Sequence, residues 1–357
     1  MSDTPVRLDL FMELASPPGG GRDPARAIED AVVVARAADR LGFDAVWLAE
    51  HHFLGDYSNS SAPDVVLGAM ARETRRIGLG FGVLPLPLHD PLRVAERLAT
   101  LDALSGGRVL WGIGRGVTLT ELEAFGVAPG ESRALMRANH DALRQMLRTG
   151  MAERGAASHA IRPPPHPRLE RGWLAAVSPE SFDLAAELGL DVMCGPFKPW
   201  PLVRADLARY RARYPGGRTS FAIAAYCEPD RRSARERAGP GILWAFRRIM
   251  AITRPLLAGQ IAGYEHYRRL GWLAPMLERT LSLGLLERLG LAAVGDPSHL
   301  ARRLARLAAS GLDRVSLIVG GGDLDVASTV GCLELIAHEV RPALERARAP
   351  RTETARA

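Results

Sequence analysis

Short apolar stretches alternate with longer amphipathic stretches along most of the chain. The apolar stretches are typical of strands buried on both faces, and the amphipathic ones place hydrophobic residues at helical spacing. Repeated strand–helix units give parallel strands joined by right-handed crossovers. Eight such units predict an α/β fold in which one (β/α)₈ TIM barrel closes. The predicted strands begin at Val6, Asp44, Ile77, Val109, Trp173, Asp191, Ser220 and Val315.

Two capped starts support helices between these strands. Asp23 offers an N-cap oxygen, and Pro24 suits the first helical position. Ser178 and Pro179 repeat this pattern directly after the fifth strand. Residues 155–167 contain several prolines and two histidines, and they are expected to lie outside the strand–helix repeat.

One connection, from Glu228 to about Gly295, is too long for a single crossover. It is predicted to be a helical insertion after the seventh strand, at about residues 229–293 of a single barrel domain that spans residues 1–347. Loops after barrel strands lie at the catalytic face, so the insertion is expected either to cover the site or to pack outside the barrel or against a second subunit. Residues 348–357 are predicted to be a basic tail. The insertion carries Trp244, Phe246, Tyr264, His266, Tyr267 and Trp272.

The composition is that of an ordinary folded protein. Of its 357 residues, 47% are hydrophobic and 24% are charged. No apolar run approaches the roughly 20 residues of a membrane span, and the N-terminus lacks a signal-peptide pattern. Cys194, Cys227 and Cys332 form no CxxC motif, so we expect free thiols in a reducing cytoplasm.

The net charge of +6 does not indicate a nucleic-acid surface. Lys198 is the only lysine among the 46 basic residues, which leaves 45 arginines. An Arg- and Ala-rich chain with few lysines is typical of GC-rich coding, and acidic residues are interspersed throughout. Neither nucleic acid nor a membrane is therefore expected as a partner.

Two adjacent histidines follow the second predicted strand, where barrel enzymes place catalytic groups. Because successive strand side chains face opposite ways, His51 and His52 are poorly arranged to bind one metal, and no other ligand cluster accompanies them. No metal site is predicted. A buried histidine can be purely structural, but the position of His51 also suits an acid, a base or a substrate-orienting group.

A glycine-rich turn follows the fourth strand, at Gly112-Ile113-Gly114-Arg115-Gly116. It departs from the dinucleotide fingerprint, because Val117 stands where the third glycine belongs and no capped helix is expected directly after it. Arg115 offers a guanidinium fork for a phosphate, and the helix start at Ser178 offers free N–H groups. The two features together predict one phosphate site, although each is also common without a ligand.

These motifs, taken in order, resemble bacterial luciferase-like flavin monooxygenases. The resemblance covers most of residues 6–228 and returns weakly near residues 294–297 and 340–342. It is carried by Phe43-Asp44-x-Val46-Trp47-Leu48-x-Glu50-His51-His52-Phe53, Leu86-Pro87-Leu88-His89-Asp90-Pro91-Leu92-Arg93-Val94-Ala95-Glu96, Leu101-Asp102-x-Leu104-Ser105-x-Gly107-Arg108, Gly112-x-Gly114-Arg115-Gly116 and Ser132-Arg133-Ala134-Leu135-Met136.

The resemblance implies a two-component monooxygenase. Reduced FMN from a separate flavin reductase would react with O₂ to a C4a-(hydro)peroxyflavin, which oxygenates a small organic substrate; a homodimer is implied as well. His51 matches the catalytic histidine, and a cis peptide bond is implied at Gly82-Val83, beneath the flavin ring. The remaining cofactor positions implied by the resemblance are Arg115, Arg133, Ser178 and Ser181 at the phosphate, with Gly114 and Val117 beside the flavin.

Three residues differ from the family pattern. Gly114 replaces the reactive cysteine of true luciferases, Val177 replaces a glutamate, and Gly195 stands where a serine can contact the phosphate. They argue against light emission and against specificity for long-chain aldehydes. The alternatives are an F420-dependent hydride-transfer oxidoreductase of the same fold and a non-catalytic flavin-binding relative.

Overall fold

A closed barrel of eight parallel strands forms the centre of the computed structural model, which describes residues 5–19, 23–258 and 279–348. Strand β9 closes it, because β9 pairs with β8 along one edge and with β11 along the other. The barrel strands are β1–β4, β7–β9 and β11. The strands are β1 Arg7–Met12, β2 Ala45–Leu48, β3 Gly78–Pro85, β4 Val109–Gly114, β5 Met151–Arg154, β6 Ala157–Ala160, β7 Trp173–Ala175, β8 Asp191–Cys194, β9 Thr219–Cys227, β10 Ala292–Gly295 and β11 Arg314–Val319.

All eight predicted strands are present, with starts shifted by one residue at most, and the TIM-barrel prediction is confirmed. Three further strands were not predicted. The strand β10 pairs with the C-terminal half of β9, outside the eight-membered ring. The antiparallel hairpin of β5 and β6 lies partly within residues 155–167, which were expected to stand apart from the repeat. All four residues of β6 are exposed, so the sequence carries no buried alternation there.

Helices connect the strands on the outside of the barrel. Asp23 caps the first helix as predicted, since its carboxylate accepts the N–H of Arg26 at 2.8 Å. None of the described helices is long and apolar enough to cross a membrane. The helices are α1 Pro24–Arg40, α2 Pro63–Glu73, α3 Pro91–Ser105, α4 Leu119–Ala124, α5 Ser132–Thr149, α6 Pro179–Leu188, α7 Trp200–Arg213, α8 Arg231–Leu257, α9 Leu283–Leu289, α10 Pro297–Ala308, α11 Val326–Leu335 and α12 Arg341–Arg348.

Large side chains fill the barrel interior. Trp47 and Trp173 meet edge to face with ring centroids 5.8 Å apart, and both are fully buried. The Trp47 indole donates to Asp9 at 2.9 Å, and the Arg314 guanidinium pairs with both oxygens of Asp9 at 2.7 and 2.8 Å. A Cβ on Gly80 would lie 2.3 Å from the Trp47 ring, so glycine is needed there. The two tryptophan side chains and the Asp9–Arg314 pair thus fill the barrel interior.

The first insertion helix, α8, crosses the loop that follows the last barrel strand. The backbones of Gly241 in α8 and Gly321 after β11 approach so closely that a Cβ on Gly321 would lie 2.4 Å from the carbonyl carbon of Gly241. The glycine run 320–322 thus forms the contact surface for α8. Four aromatic residues of the insertion lie outside the described residues, as does most of the predicted tail: Tyr264, His266, Tyr267, Trp272 and residues 349–357.

We expect Gly321→Ala to destabilise the fold by about 2–4 kcal/mol, because the new methyl group meets backbone and the position has a φ of +71°. The matched control is Gly331→Ala in α11, where a Cβ has open space; it should be neutral or stabilise by up to about 1 kcal/mol. Urea unfolding of both variants tests this, and equal stabilities would refute the tight contact.

Candidate functional site

A cavity of about 330 Å³ lies at the C-terminal ends of the barrel strands. Loops after most of the barrel strands contribute to its wall, and Trp244 and Phe246 of the insertion helix α8 also line it. This is the end at which barrel enzymes place their chemistry. All nine residues to which the resemblance assigns a catalytic or cofactor-binding role line this one cavity: His51, Gly82, Val83, Gly114, Arg115, Val117, Arg133, Ser178 and Ser181.

Hydrogen-bond donors line the cavity where the paired strands β4 and β7 end, its donor-rich end. Arg115 follows β4, Arg133 lies in the first turn of α5, and both residues are half-buried. Ser178 occupies the N-cap position of α6 as predicted, but its hydroxyl makes no capping bond to the helix. The first N–H groups of α6 therefore have no side-chain cap from this residue. Two arginines and a helix start that line one cavity are groups suited to binding a phosphate.

Ser181 holds the start of α6 in place. Its hydroxyl donates to the Ser178 carbonyl at 2.6 Å and accepts the N–H of Val177 at 3.1 Å. The turn that carries Ser178 is therefore fixed from within. An ordered turn keeps its N–H groups aimed in one direction, as an anion site requires.

Lys198 supports the same turn and was missed by the sequence reasoning. Its ammonium group donates to the Val177 carbonyl at 2.7 Å and forms a buried ion pair with Asp206. It also lies 5.2 Å from the centre of the Phe182 ring. The chain has 45 arginines and only this one lysine, and that contrast could have identified Lys198 from the sequence.

Beside the arginines the cavity has an apolar wall. The Gly82–Val83 peptide bond is cis, as the resemblance implied. A Cβ on Gly114 would lie 2.9 Å from a methyl group of Val83 and 3.8 Å from the Ala175 side chain. Glycine at this position therefore leaves space along the cavity wall that a side chain would fill. Donors at one end and an apolar wall beside them fit a ring system with a phosphate tail. The residues present are therefore compatible with a flavin.

His51 lies between two carboxylates. Its Nδ1 is 3.1 Å from Glu121 Oε1, and its Nε2 is 3.7 Å from Glu13 Oε2. Tyr57 donates its hydroxyl to the other oxygen of Glu13 at 3.4 Å. Glu121 is fixed in turn by Thr118, which caps α4 and donates to its Oε2 at 2.5 Å. The expectation that no capped helix follows the glycine turn was wrong, because α4 begins two residues after Val117.

Burial and charge oppose one another in this cluster. Burial alone lowers the pKa of His51, but the Glu121 hydrogen bond and the charges of Glu13 and Glu121 outweigh it and raise that pKa. Burial raises the pKa of the Glu13 carboxyl, with the His51 charge and the Tyr57 hydrogen bond acting against it. Burial also disfavours the Glu121 carboxylate, yet its bonds from His51 and Thr118 hold its pKa below the usual range. His51 is thus suited to hold a proton beside the cavity.

His52 points elsewhere, as expected, although β2 ends at Leu48 and strand alternation is not the reason. Its Nε2 lies 3.2 Å from Glu50 Oε1, which His89 also contacts at 2.6 Å. The ring of His52 packs 4.8 Å from that of Phe125 and does not line the cavity. Within the described ranges no group of three or more His, Cys, Asp or Glu side chains is arranged to bind a metal.

We expect Glu121→Gln to lower the His51 pKa, because a neutral amide removes one of its two carboxylate neighbours. In the wild type the titration midpoint should lie above the ordinary value of 6.5. Since the folded-state pKa is raised, the stability that His51 contributes is complete below pH 6.5 and is lost as pH rises through the folded-state pKa. Imidazole NMR titration measures the shift, and an unchanged midpoint in the variant would contradict the pairing.

The chain matches known proteins over most of its length. The sequence profile of the luciferase-like monooxygenases matches residues 9–314. Limonene 1,2-monooxygenase of Rhodococcus erythropolis is 32% identical over 198 residues, or 54% of this chain and 51% of that protein. The luciferase-like monooxygenase of Escherichia coli K12 is 32% identical over 243 residues, or 64% and 67%. The chain thus matches about half the length of the first relative and two thirds of the second.

Solved structures share the fold. Monooxygenase RslO1 of Streptomyces bottropensis superposes with a TM-score of 0.79 at 23% identity, covering 94% of this chain and 99% of that one. The oxygenating constituent of 3,6-diketocamphane monooxygenase from Pseudomonas putida, in complex with FMN, gives 0.75 at 18% identity, covering 95% and 99%. An F420-dependent secondary alcohol dehydrogenase gives 0.69 at 16%, covering 96% and 99%.

These structures have less than 25% sequence identity to the chain, so they show its fold and leave its cofactor and substrate open. The family rests on the sequence match, which spans well over half of the chain. The motifs that first indicated the resemblance lie within or next to the matched range. The chain belongs to the luciferase-like monooxygenase family.

Proposed function

We propose that the protein is the oxygenase component of a two-component FMN-dependent monooxygenase that oxygenates a small organic molecule. One observation carries the proposal: Arg115, Arg133 and the start of α6 line the same cavity as the His51 cluster. Reduced FMN would come from a separate flavin reductase. We further propose a cytoplasmic homodimer, as the family resemblance implies.

In this proposal the FMN phosphate binds at the donor-rich end. Arg115 and Arg133 neutralise its charge, while Ser178 and the first N–H groups of α6 donate hydrogen bonds. The Gly82–Val83 segment and Gly114 supply the surface against which the ring lies. Bound reduced FMN supplies two electrons and activates O₂; the chain supplies binding, orientation and exclusion of water.

His51 is proposed to transfer the proton that the reaction requires. Glu121 holds Nδ1, so the Nε2 edge of the imidazole is the one left facing Glu13 and the cavity. The apolar lining excludes water from this edge. The insertion, about residues 229–293, is proposed as a cover, because Trp244 and Phe246 of its first helix line the cavity.

An F420-dependent hydride transferase is the rival function, because F420 also carries a phosphate and a tricyclic ring. The donor-rich end would suit either phosphate. The two cofactors differ in their reaction with O₂, which FMN undergoes when reduced and F420 does not. Binding followed by exposure to O₂ therefore separates the two functions.

The test is anaerobic titration of the purified protein with reduced FMN and, separately, with reduced F420. Each complex is then mixed with ¹⁸O₂ and a panel of small organic compounds, and products are analysed by mass spectrometry. The proposal predicts FMN binding and products that gain one ¹⁸O atom. Tight F420 binding without oxygen incorporation would support hydride transfer, and binding of neither would overturn both assignments.

A further inference from the structure

Glu13 presents a polar atom that nothing in the described structure satisfies. It is the first residue after β1, and it lines the cavity beside His51 and Tyr57. Its side chain is 18% exposed, and Oε2 is buried without a hydrogen-bond partner among the described residues. The nearest positive group is His51 Nε2, 3.7 Å away, which is beyond hydrogen-bond distance. A buried acceptor in this state costs about 1–3 kcal/mol.

The backbone holds Glu13 in this position. Leu14, the next residue, has a φ of +52°, in the left-handed region that non-glycine residues seldom adopt. Asn59 stabilises the turn, because its side-chain amide donates to the Leu14 carbonyl at 2.7 Å and to the Ser16 hydroxyl at 2.9 Å. Its backbone N–H donates to the same carbonyl at 3.2 Å. These hydrogen bonds hold Leu14 in its strained conformation and thereby fix the position of Glu13 in the cavity wall.

The cavity that Glu13 lines is largely apolar. Phe11, Met12 and Leu14 belong to the same strand and turn, and Phe246 and Ile249 line the cavity from the insertion helix. The hydroxyls of Ser220 and Ser316, which also line it, are 3.1 Å apart and share one hydrogen bond. An apolar molecule in this part of the cavity would leave Glu13 Oε2 unsatisfied, whereas a molecule with one O–H or N–H group would not.

We propose that the substrate of this site is a mainly apolar molecule bearing a hydrogen-bond donor, a hydroxyl or an amine, which Glu13 Oε2 accepts beside His51. The inference rests on the proposed function, since it assigns a substrate class to the same cavity. Pure hydrocarbons are thereby disfavoured. A donor at this carboxyl also fixes which part of the substrate faces His51, so Glu13 is a specificity-determining residue.

Three para-substituted toluenes of nearly equal size test the proposal: p-cresol with a hydroxyl, p-toluidine with an amine and p-xylene with a methyl group. Calorimetry measures their binding to the full chain, with and without FMN. Satisfying a buried acceptor recovers about 1–3 kcal/mol, so the wild type should bind p-cresol or p-toluidine at least about fivefold more tightly than p-xylene. The better of the two donors identifies the substrate group.

Glu13→Leu should abolish this preference while leaving p-xylene affinity unchanged or higher. Glu13→Gln keeps the size of the side chain and should reduce the preference, which preserves the test if the leucine variant does not fold. The matched control is Glu123→Leu, which changes an exposed glutamate on α4 and should retain the full preference. An equal affinity for all three compounds in the wild type, absence of binding, or a preference that persists in Glu13→Leu would overturn the proposal.

The outcomes also separate this inference from the proposed function. If FMN binds and the donor preference is absent, only the substrate class is wrong. If the preference is present in the flavin-free protein and FMN fails to bind, the cavity assignment holds and the monooxygenase proposal fails.

Discussion

Replacing Arg115 by alanine is expected to weaken the binding of reduced FMN by about 10- to 100-fold. Arg115 lines the cavity after β4, which pairs with β7, the strand before α6. A charge-assisted hydrogen bond contributes about 1.5–3 kcal/mol. Arg133→Ala should have a similar effect, and the double variant a larger one. Anaerobic fluorescence titration with reduced FMN measures the affinities.

The matched control for both substitutions is Arg137→Ala. Arg137 lies one turn along α5 from Arg133, but its exposed side chain pairs with Glu187 on α6 instead of lining the cavity. The control should bind FMN as the wild type does. Unchanged affinity in Arg115→Ala, or an equal loss in Arg137→Ala, would remove the basis for the phosphate assignment.

Replacing His51 by alanine is expected to lower turnover by about 100- to 10,000-fold, the usual contribution of a positioned acid or base. Flavin affinity should change little, because His51 lies in the carboxylate cluster with Glu13 and Glu121 and not among the arginines. Product formation from a compound identified in the ¹⁸O₂ panel gives the turnover, and the anaerobic titration gives the affinity.

His52→Ala is the matched control for this prediction. The two histidines are adjacent in the chain, yet His52 pairs with Glu50 and packs on Phe125 outside the cavity. It should retain most of the turnover if the fold is intact. Full activity of His51→Ala would refute the proton-transfer role, whereas equal losses in both variants would indicate a structural effect of the histidine pair.

The barrel was predictable because its strands are short apolar runs separated by helices with clear starts. Asp23 and Pro24 mark the first of these starts, and α6 begins at the predicted Pro179. The strand β10 was missed because its four residues carry no distinctive pattern and gain their pairing only from the C-terminal half of β9. Its position depends on tertiary contact, which local sequence does not encode.

The site was predictable where the chain carries family motifs and not where distant segments meet. His51, Arg115 and Ser178 were identified, and all three line the cavity. Glu13 and Glu121 are 108 positions apart in the numbering, and the parallel pairing of β1, β2, β3 and β4 side by side brings the segments that carry them to His51. Two sequence signals could have identified these carboxylates. Glu13 is the first polar residue after β1, and Glu121 is the third residue after Thr118 in a capping pattern.

The central claim is that one end of the cavity binds a phosphate while the ring lies toward His51. Its most direct measurement compares the dissociation constants of reduced FMN and reduced riboflavin, which differ only in the phosphate. Two arginines and a helix start predict that FMN binds at least about 100-fold more tightly, and that Arg115→Ala narrows this difference. Equal affinities of the wild-type protein for the two flavins would contradict the account.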